Sequence, residues 1–329
     1  MSSLLVEHVR DLVGARMVAL ESSLVDSLGD CPEPLRDAAT AVFQSGGKRL
    51  RPLLLLLSAE LCGYRGDRDV LYGTAVEYVH VASLLHDDVI DEAVLRRGLP
   101  TLNQRYGNTM TVLVGDYLCM KAMALAIEAG HGGVLSLISR TTLDLVEGEA
   151  LQEAGSGRLD LTVDEYLRVV ELKTGRLMAC ASEIPSVLVG DPPGSARRER
   201  LREYGLHLGL AFQLADDILD YESDEATLGK PVLSDLREGT VTLPVLHAMA
   251  HGGAEARDLF ARVVADRDFS RVEPGRIVAL VRETGGLAEA TRRAQEASAR
   301  ARAALDGFPA GPVLDALVFA TEFAVSRTF

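Results

Sequence analysis

Two short acidic patterns are the residues of this chain best suited to holding a metal ion. The first is Asp87-Asp88-Val89-Ile90-Asp91, which ends the apolar stretch VHVASLLH. The second is Asp216-Asp217-Ile218-Leu219-Asp220, which ends GLAFQLA. On a helix, Asp87 and Asp91 lie four residues apart and share a face, with Asp88 beside them. Like charges at that spacing repel, so such a helix end calls for a cation. Ligands that are all oxygen suit a hard ion, Mg²⁺ above all, which takes one or two carboxylates and completes its shell with substrate phosphates. The second pattern repeats the design. A solvated acidic turn is the alternative for either copy alone, but both sit deep in apolar sequence, and two copies read better as patches facing one cavity. They are too few and too distant for a solenoid repeat. Neither has the Gly and spaced acids of a calcium loop.

Cations complement these acids. Ser45-Gly46-Gly47-Lys48-Arg49-Leu50-Arg51-Pro52 places three basic residues after a flexible glycine pair. Backbone amides and guanidinium forks there can cradle a diphosphate. Arg96-Arg97 follow the first acidic pattern, and Lys173-Thr174-Gly175 and Gly229-Lys230 add donors. A basic turn alone is usually a solvated surface. Two acidic patches with four basic clusters amount to a site for two diphosphates.

The elements that must position these groups are helices. Helical periodicity runs over about 3–28, 33–45, 49–63, 68–93, 101–129, 131–154, 162–189, 195–223, 241–250, 255–266, 273–285, 287–306 and 311–327. Gly46-Gly47, Gly98 to Pro100, Gly155 to Gly157 and Asp191 to Gly194 mark breaks. No alternating β-branched run of convincing length occurs, and no Pro/Ser-rich linker divides the chain, so a single all-α domain over 1–329 is expected. A net charge of −14 argues against a nucleic-acid surface. The four cysteines stand apart, with no CxxC pair, and read as buried thiols in a reducing cytoplasm. The N-terminus lacks the pattern of a signal peptide. The strongest apolar run, Leu53–Leu57, is too short to span a bilayer. These features predict a soluble cytoplasmic protein with at most transient membrane contact.

The chain resembles the trans-isoprenyl diphosphate synthases, the polyprenyl synthetase family. The landmarks run in family order: GGKRLRP at 46–52, HDDVIDEAVLRRGLPT at 86–101, GDYL at 115–118, EGEALQ at 147–152, KTG at 173–175, FQLADDILDY at 212–221 and GKPVLSDLREGTVTLP at 229–244. The C-terminal third fits loosely. The resemblance implies a large helical bundle around a deep central cavity and Mg²⁺-dependent addition of isopentenyl diphosphate to an allylic diphosphate. It also implies that Asp87, Asp88, Asp91, Asp216, Asp217 and Asp220 hold about three Mg²⁺. Lys48, Arg51, His80 and Arg97 would bind isopentenyl diphosphate. Arg96, Lys173, Thr174, Gln213 and Lys230 would bind the allylic diphosphate or its leaving group. For His80 a satisfied core histidine is the alternative. Relatives are usually homodimers, and that is carried over as an expectation.

Many relatives have Gly and Lys where this chain has Leu233 and Thr240; tuning of the second patch, not loss of activity, is expected. Ser83 lies one turn before Asp87, roughly 6 Å deeper by helix rise, with Ala82 beside it. In short-chain enzymes of the family these positions often carry aromatic plugs. Here both are small, and residues 112–126 are expected to face them with Cys119, Met120, Ala122 and Ala124. A long product of about C30–C50, as in a quinone tail, is expected from a farnesyl diphosphate primer, a farnesyl or geranylgeranyl product being the alternative. A terpene cyclase would vary the second acidic motif, a non-catalytic subunit would tend to lose aspartates, and a head-to-head condensing enzyme would lack GGKR.

Overall fold

The structure, a computed structural model, describes residues 3–29, 31–96, 98–222, 233–266 and 269–326. In chain order the helices are α1 (Ser3–Asp26), α2 (Glu33–Gln44), α3 (Leu50–Leu61), α4 (Arg68–Ile90), α5 (Leu102–Tyr106), α6 (Asn108–Glu128), α7 (Gly132–Gly155), α8 (Val163–Val170), α9 (Arg176–Leu188), α10 (Ala196–Glu222), α11 (Ser234–Arg237), α12 (Leu243–His251), α13 (Gly253–Asp266), α14 (Pro274–Glu283), α15 (Gly286–Ala304) and α16 (Pro312–Val325). Local chemistry explains many starts. Pro opens α2, α12, α14 and α16, where a missing N–H costs nothing. Thr162 and Glu165 close a capping box on α8.

Three features depart from the sequence reading. The helix expected over 101–129 is broken by Gly107, whose φ of 81° belongs to neither flanking helix. The helix expected over 162–189 contains one π turn, Glu171–Gly175. A two-residue ribbon, β1 (Leu95–Arg96) against β2 (Leu99–Pro100), turns the chain just after the first acidic pattern.

The interior forms two apolar clusters. The first gathers Leu54–Leu57 of α3, Tyr72 and Tyr78 of α4, Leu118 of α6 and Leu208 of α10. The second gathers Tyr166, Leu214, Ile218, Leu233, Phe260, Ile277 and Leu287. Helix α10 belongs to both. Tyr204, Leu208 and Ala211 lie in the first cluster, and Leu214, Ile218 and Tyr221 lie in the second.

Helix α6 is, by length and composition alone, long and apolar enough to cross a membrane. Asp116 and Lys121 interrupt its apolar sequence, whereas Leu53–Leu57 is unbroken. One face of α6 packs Val114, Leu118, Ala122 and Leu125 into the core. The other leaves Val112, Leu113, Met120 and Ile127 exposed, with Leu143 and Val146 of α7 also exposed.

Helices α9 and α10 pack tightly because Gly205 has no side chain. A Cβ there would lie 2.4 Å from the Met178 carbonyl oxygen and 2.7 Å from Ala179 Cα. Both are backbone atoms, so a methyl group must push the helices apart. Gly205→Ala is therefore expected to destabilise the fold by about 2 kcal/mol or more, read as a lower Tm by calorimetry.

Candidate active site

A cavity of about 880 Å³ opens between α3, α4, α7, α8, the π turn and α10. Leu84, Val146, Val169 and Phe212 give it apolar wall, and charged groups gather around it. Lys48 and Arg51 line it from the basic loop and the start of α3, His80, Asp87 and Asp88 from α4, and Arg96 from the ribbon. Lys173, Thr174, Gln213, Asp216 and Asp217 complete it from the π turn and α10. The two acidic patches and three of the basic clusters, distant in sequence, thus border one space. Arg97 and Lys230 lie outside the described residues.

The aspartates divide by what their oxygens already do. Asp88 is buried and accepts from Arg96, with Nε at 2.8 Å and Nη2 at 2.7 Å. Asn103 Nδ2 donates to the Asp88 carbonyl at 3.1 Å and steadies this helix end. Asp217 accepts a short hydrogen bond from the Tyr166 hydroxyl and another from Gln213 Nε2 at 3.0 Å. Thr174 Oγ1 donates in turn to Gln213 Oε1 at 3.1 Å, joining the π turn to the second patch. Asp220 does not line the cavity. It accepts from Ser234 N, Ser234 Oγ and Asp235 N at 3.2, 2.9 and 3.2 Å, and so anchors the start of α11. Asp91 caps α4 outside the cavity lining, and is exposed.

Asp87 stands on the cavity wall with Lys173 Nζ 4.0 Å away, and Lys173 also pairs closely with Glu149. Burial pushes the Asp87 carboxyl up to about 7; Lys173 opposes the rise, and the negative charges of Glu149 and Asp91 reinforce it. Burial likewise raises Asp217 to about 6, against the hydrogen bonds from Tyr166 and Gln213. Glu149 reaches this position because Gly148 lets α7 press on the π turn. A Cβ at Gly148 would lie 2.8 Å from Leu172 Cβ and 3.1 Å from the Lys173 amide nitrogen.

Among the described residues no three of His, Cys, Asp and Glu converge closely enough to hold an ion by themselves. The donor set nevertheless fits a hard divalent cation: all its ligands are carboxylate oxygens, and an ion there would draw its remaining ligands from a diphosphate.

Several sequence expectations need correction. Arg49 borders the cavity, but its guanidinium is committed to protein partners. Its backbone is left-handed, with φ of 45°, and its guanidinium turns into the protein to Glu21, Glu77 and the Phe43 carbonyl. Ser83 lines the cavity, whereas Ala82 is buried in the first apolar cluster. Helix α6 meets the cavity at Val112 and Asp116, not at residues 119–124. Leu233, where many relatives have Gly, does adopt the left-handed conformation that favours Gly, with φ of 55°. Its fully buried side chain in the second cluster offsets that strain.

Glu77, Glu149, Tyr166 and Asp235 also line the site and were given no role from sequence. Glu149 and Asp235 sit inside the landmark strings EGEALQ and SDLREGT, so a signal existed for them. Tyr166 meets Asp217 across 51 residues of chain, which no local pattern reveals.

Fold and site together define a helical enzyme built for anionic head groups beside an apolar pocket. The chain belongs to the polyprenyl synthetase family, whose sequence profile matches residues 32–279. It is 35% identical to the octaprenyl diphosphate synthase of Escherichia coli, over 98% of this chain and 99% of that one. It is 41% identical to an all-trans-nonaprenyl-diphosphate synthase of Rhodobacter capsulatus, over 87% of each. A polyprenyl synthase of Caulobacter crescentus, solved with calcium and isoprenyl diphosphate, superposes with a TM-score of 0.92 at 38% identity, covering 98% of both chains. The chain is accordingly a trans-prenyltransferase.

The raised Asp87 carboxyl has a measurable consequence. A group whose pKa is higher in the folded than in the unfolded chain makes the metal-free protein less stable as pH rises from about 4 through 7. Asn at this position has no charge to lose. In chelator, Asp87→Asn is expected to melt above the parent protein at pH 8, by about 2 °C per kcal/mol relieved. The gap should close toward pH 4, as followed by thermal denaturation across the series.

Proposed function

We propose that this chain is a trans-polyprenyl diphosphate synthase that adds isopentenyl diphosphate repeatedly to an allylic primer, farnesyl diphosphate, and ends at about C30–C50. The observation that carries the reading is the pair of acidic patches bordering one cavity with Lys48, Arg51, Arg96 and Lys173. The named products of the octaprenyl and nonaprenyl relatives support the length.

Asp87, Asp88, Asp91, Asp216, Asp217 and Asp220 would hold Mg²⁺, about three ions with substrate bound. The ions would neutralise charge on the allylic diphosphate as its C1–O bond breaks. Asp88, Asp217 and Asp220, held by protein donors, keep the two helix ends in shape around them. Arg96 and Lys173 sit within reach of the same head group, with Thr174 and Gln213 fixing the second patch; Lys230 joins them by resemblance. Lys48, Arg51 and His80 form the neighbouring subsite and take isopentenyl diphosphate, with Arg97 assigned there by resemblance. The isopentenyl double bond attacks the allylic C1, and a proton then leaves C2 of the added unit to the departed diphosphate. The apolar wall keeps water from the carbocation.

The growing tail passes Ser83, whose hydroxyl is turned back to the His80 carbonyl at 2.8 Å and leaves the wall smooth. The exposed apolar side chains of α6 and α7 support a homodimer packed through those helices.

Incubation with farnesyl diphosphate, labelled isopentenyl diphosphate and Mg²⁺ is expected to give a product ladder ending at C30–C50 and abolished by chelator. No incorporation with any primer would overturn the assignment. Asp87→Asn and Asp216→Asn should each lower kcat by about 100-fold or more. Ser83→Phe is expected to shift the products to C20–C25 with the initial rate largely retained, as sized after dephosphorylation.

A further inference from the structure

Lys173 is gripped from two directions. Its Nζ pairs closely with Glu149 of α7 and stands 4.0 Å from Asp87 of α4. Each of the three side chains is only 19% exposed, so solvent screens these charges weakly. The lysine stem is confined as well. A Cβ at Gly148 would lie 2.9 Å from Lys173 Cγ, so the bare glycine lets α7 pack directly on the stem. Thr174, the next residue, donates instead to Gln213 of α10. The π turn thus divides two neighbouring residues between the two acidic patches.

An ammonium between two carboxylates offsets their mutual repulsion. Only one of these two, Asp87, belongs to the acidic pattern. A dication drawn to Asp87 repels the ammonium and takes one of its two anions away, and a lysine stem is flexible enough to swing clear. Glu149 is the partner that remains. Before the metal arrives the same pairing acts in the other sense. Without Glu149 the whole attraction of the ammonium falls on Asp87, where it competes with the incoming cation. We propose that Glu149 is a positioning residue for Lys173: it keeps the ammonium beside the allylic diphosphate once Mg²⁺ takes Asp87, and draws it off Asp87 until then. This deepens, and rests on, the reading of Asp87 as a metal ligand and Lys173 as a donor to the allylic head group.

Two readouts on the full-length protein test it. The first is the Mg²⁺ concentration that gives half of the rise in Tm in the presence of inorganic diphosphate. Glu149→Gln keeps the shape and removes the charge, and is expected to raise that concentration about fivefold. In a Lys173→Met background the same change should move it by less than about twofold, because the two side chains act as one unit. The second is steady-state kinetics at saturating Mg²⁺. Glu149→Gln should lower kcat about tenfold, with the KM for isopentenyl diphosphate moved by less than about twofold. An unchanged Mg²⁺ requirement or an unchanged kcat in Glu149→Gln overturns the proposal. So does an equal rise in both backgrounds, which would make Glu149 an independent negative charge beside the metal. If Lys173→Met alone leaves kcat unchanged, or Asp87→Asn leaves the Mg²⁺ requirement unchanged, the underlying assignment falls and the proposal with it.

Discussion

Carboxylates crowded beside an apolar cavity are the constraint on which the rest of this structure depends. Ionised acids in such a place repel one another and lose hydration, and only cations relieve both costs. Burial that pushes the Asp87 carboxyl up expresses the same tension. Much of the surrounding architecture manages it. Arg96 steadies Asp88, Tyr166 and Gln213 steady Asp217, and the start of α11 steadies Asp220. These contacts hold the two helix ends in shape beside the cavity.

That arrangement shows why the two acidic motifs look alike but behave differently. The first ends its helix and opens into the short ribbon, so its last acid reaches solvent. The second continues along α10, and its last acid accepts hydrogen bonds from the start of α11. A repeated pattern therefore does not mean repeated hydrogen bonding. The same distinction applies to the basic loop, where Lys48, Arg49 and Arg51 all border the cavity but the Arg49 guanidinium is taken up by Glu21, Glu77 and the Phe43 carbonyl.

The helices were legible in the sequence because apolar periodicity and turn residues agree along nearly the whole chain. The site was legible too, as motifs: Asp87, Lys173 and Asp216 each stand in a string distinctive enough to carry a role. What escaped was anything decided by long-range packing. Tyr166 acquires its partner only when α8 meets α10, and Glu77 only when α4 passes beneath the basic loop. The π turn at 171–175 came from tertiary fit and not from propensity. Exposure of one face of α6 could not be read either, since core and interface use the same side chains. Leu233 was visible as a departure from relatives, but its strained backbone and its buried side chain appear only together.

Helix α10 runs through both apolar clusters, and the cavity lies along their shared border. The first acidic patch belongs to a helix rooted in one cluster, and the second to the stretch of α10 rooted in the other. A charged ligand gripped from both sides then works as a tie across the seam between two halves of the core. Its binding free energy adds to the resistance of that seam to opening. The enzyme at work and the enzyme at rest should therefore differ less in shape than in how independently their two halves can loosen.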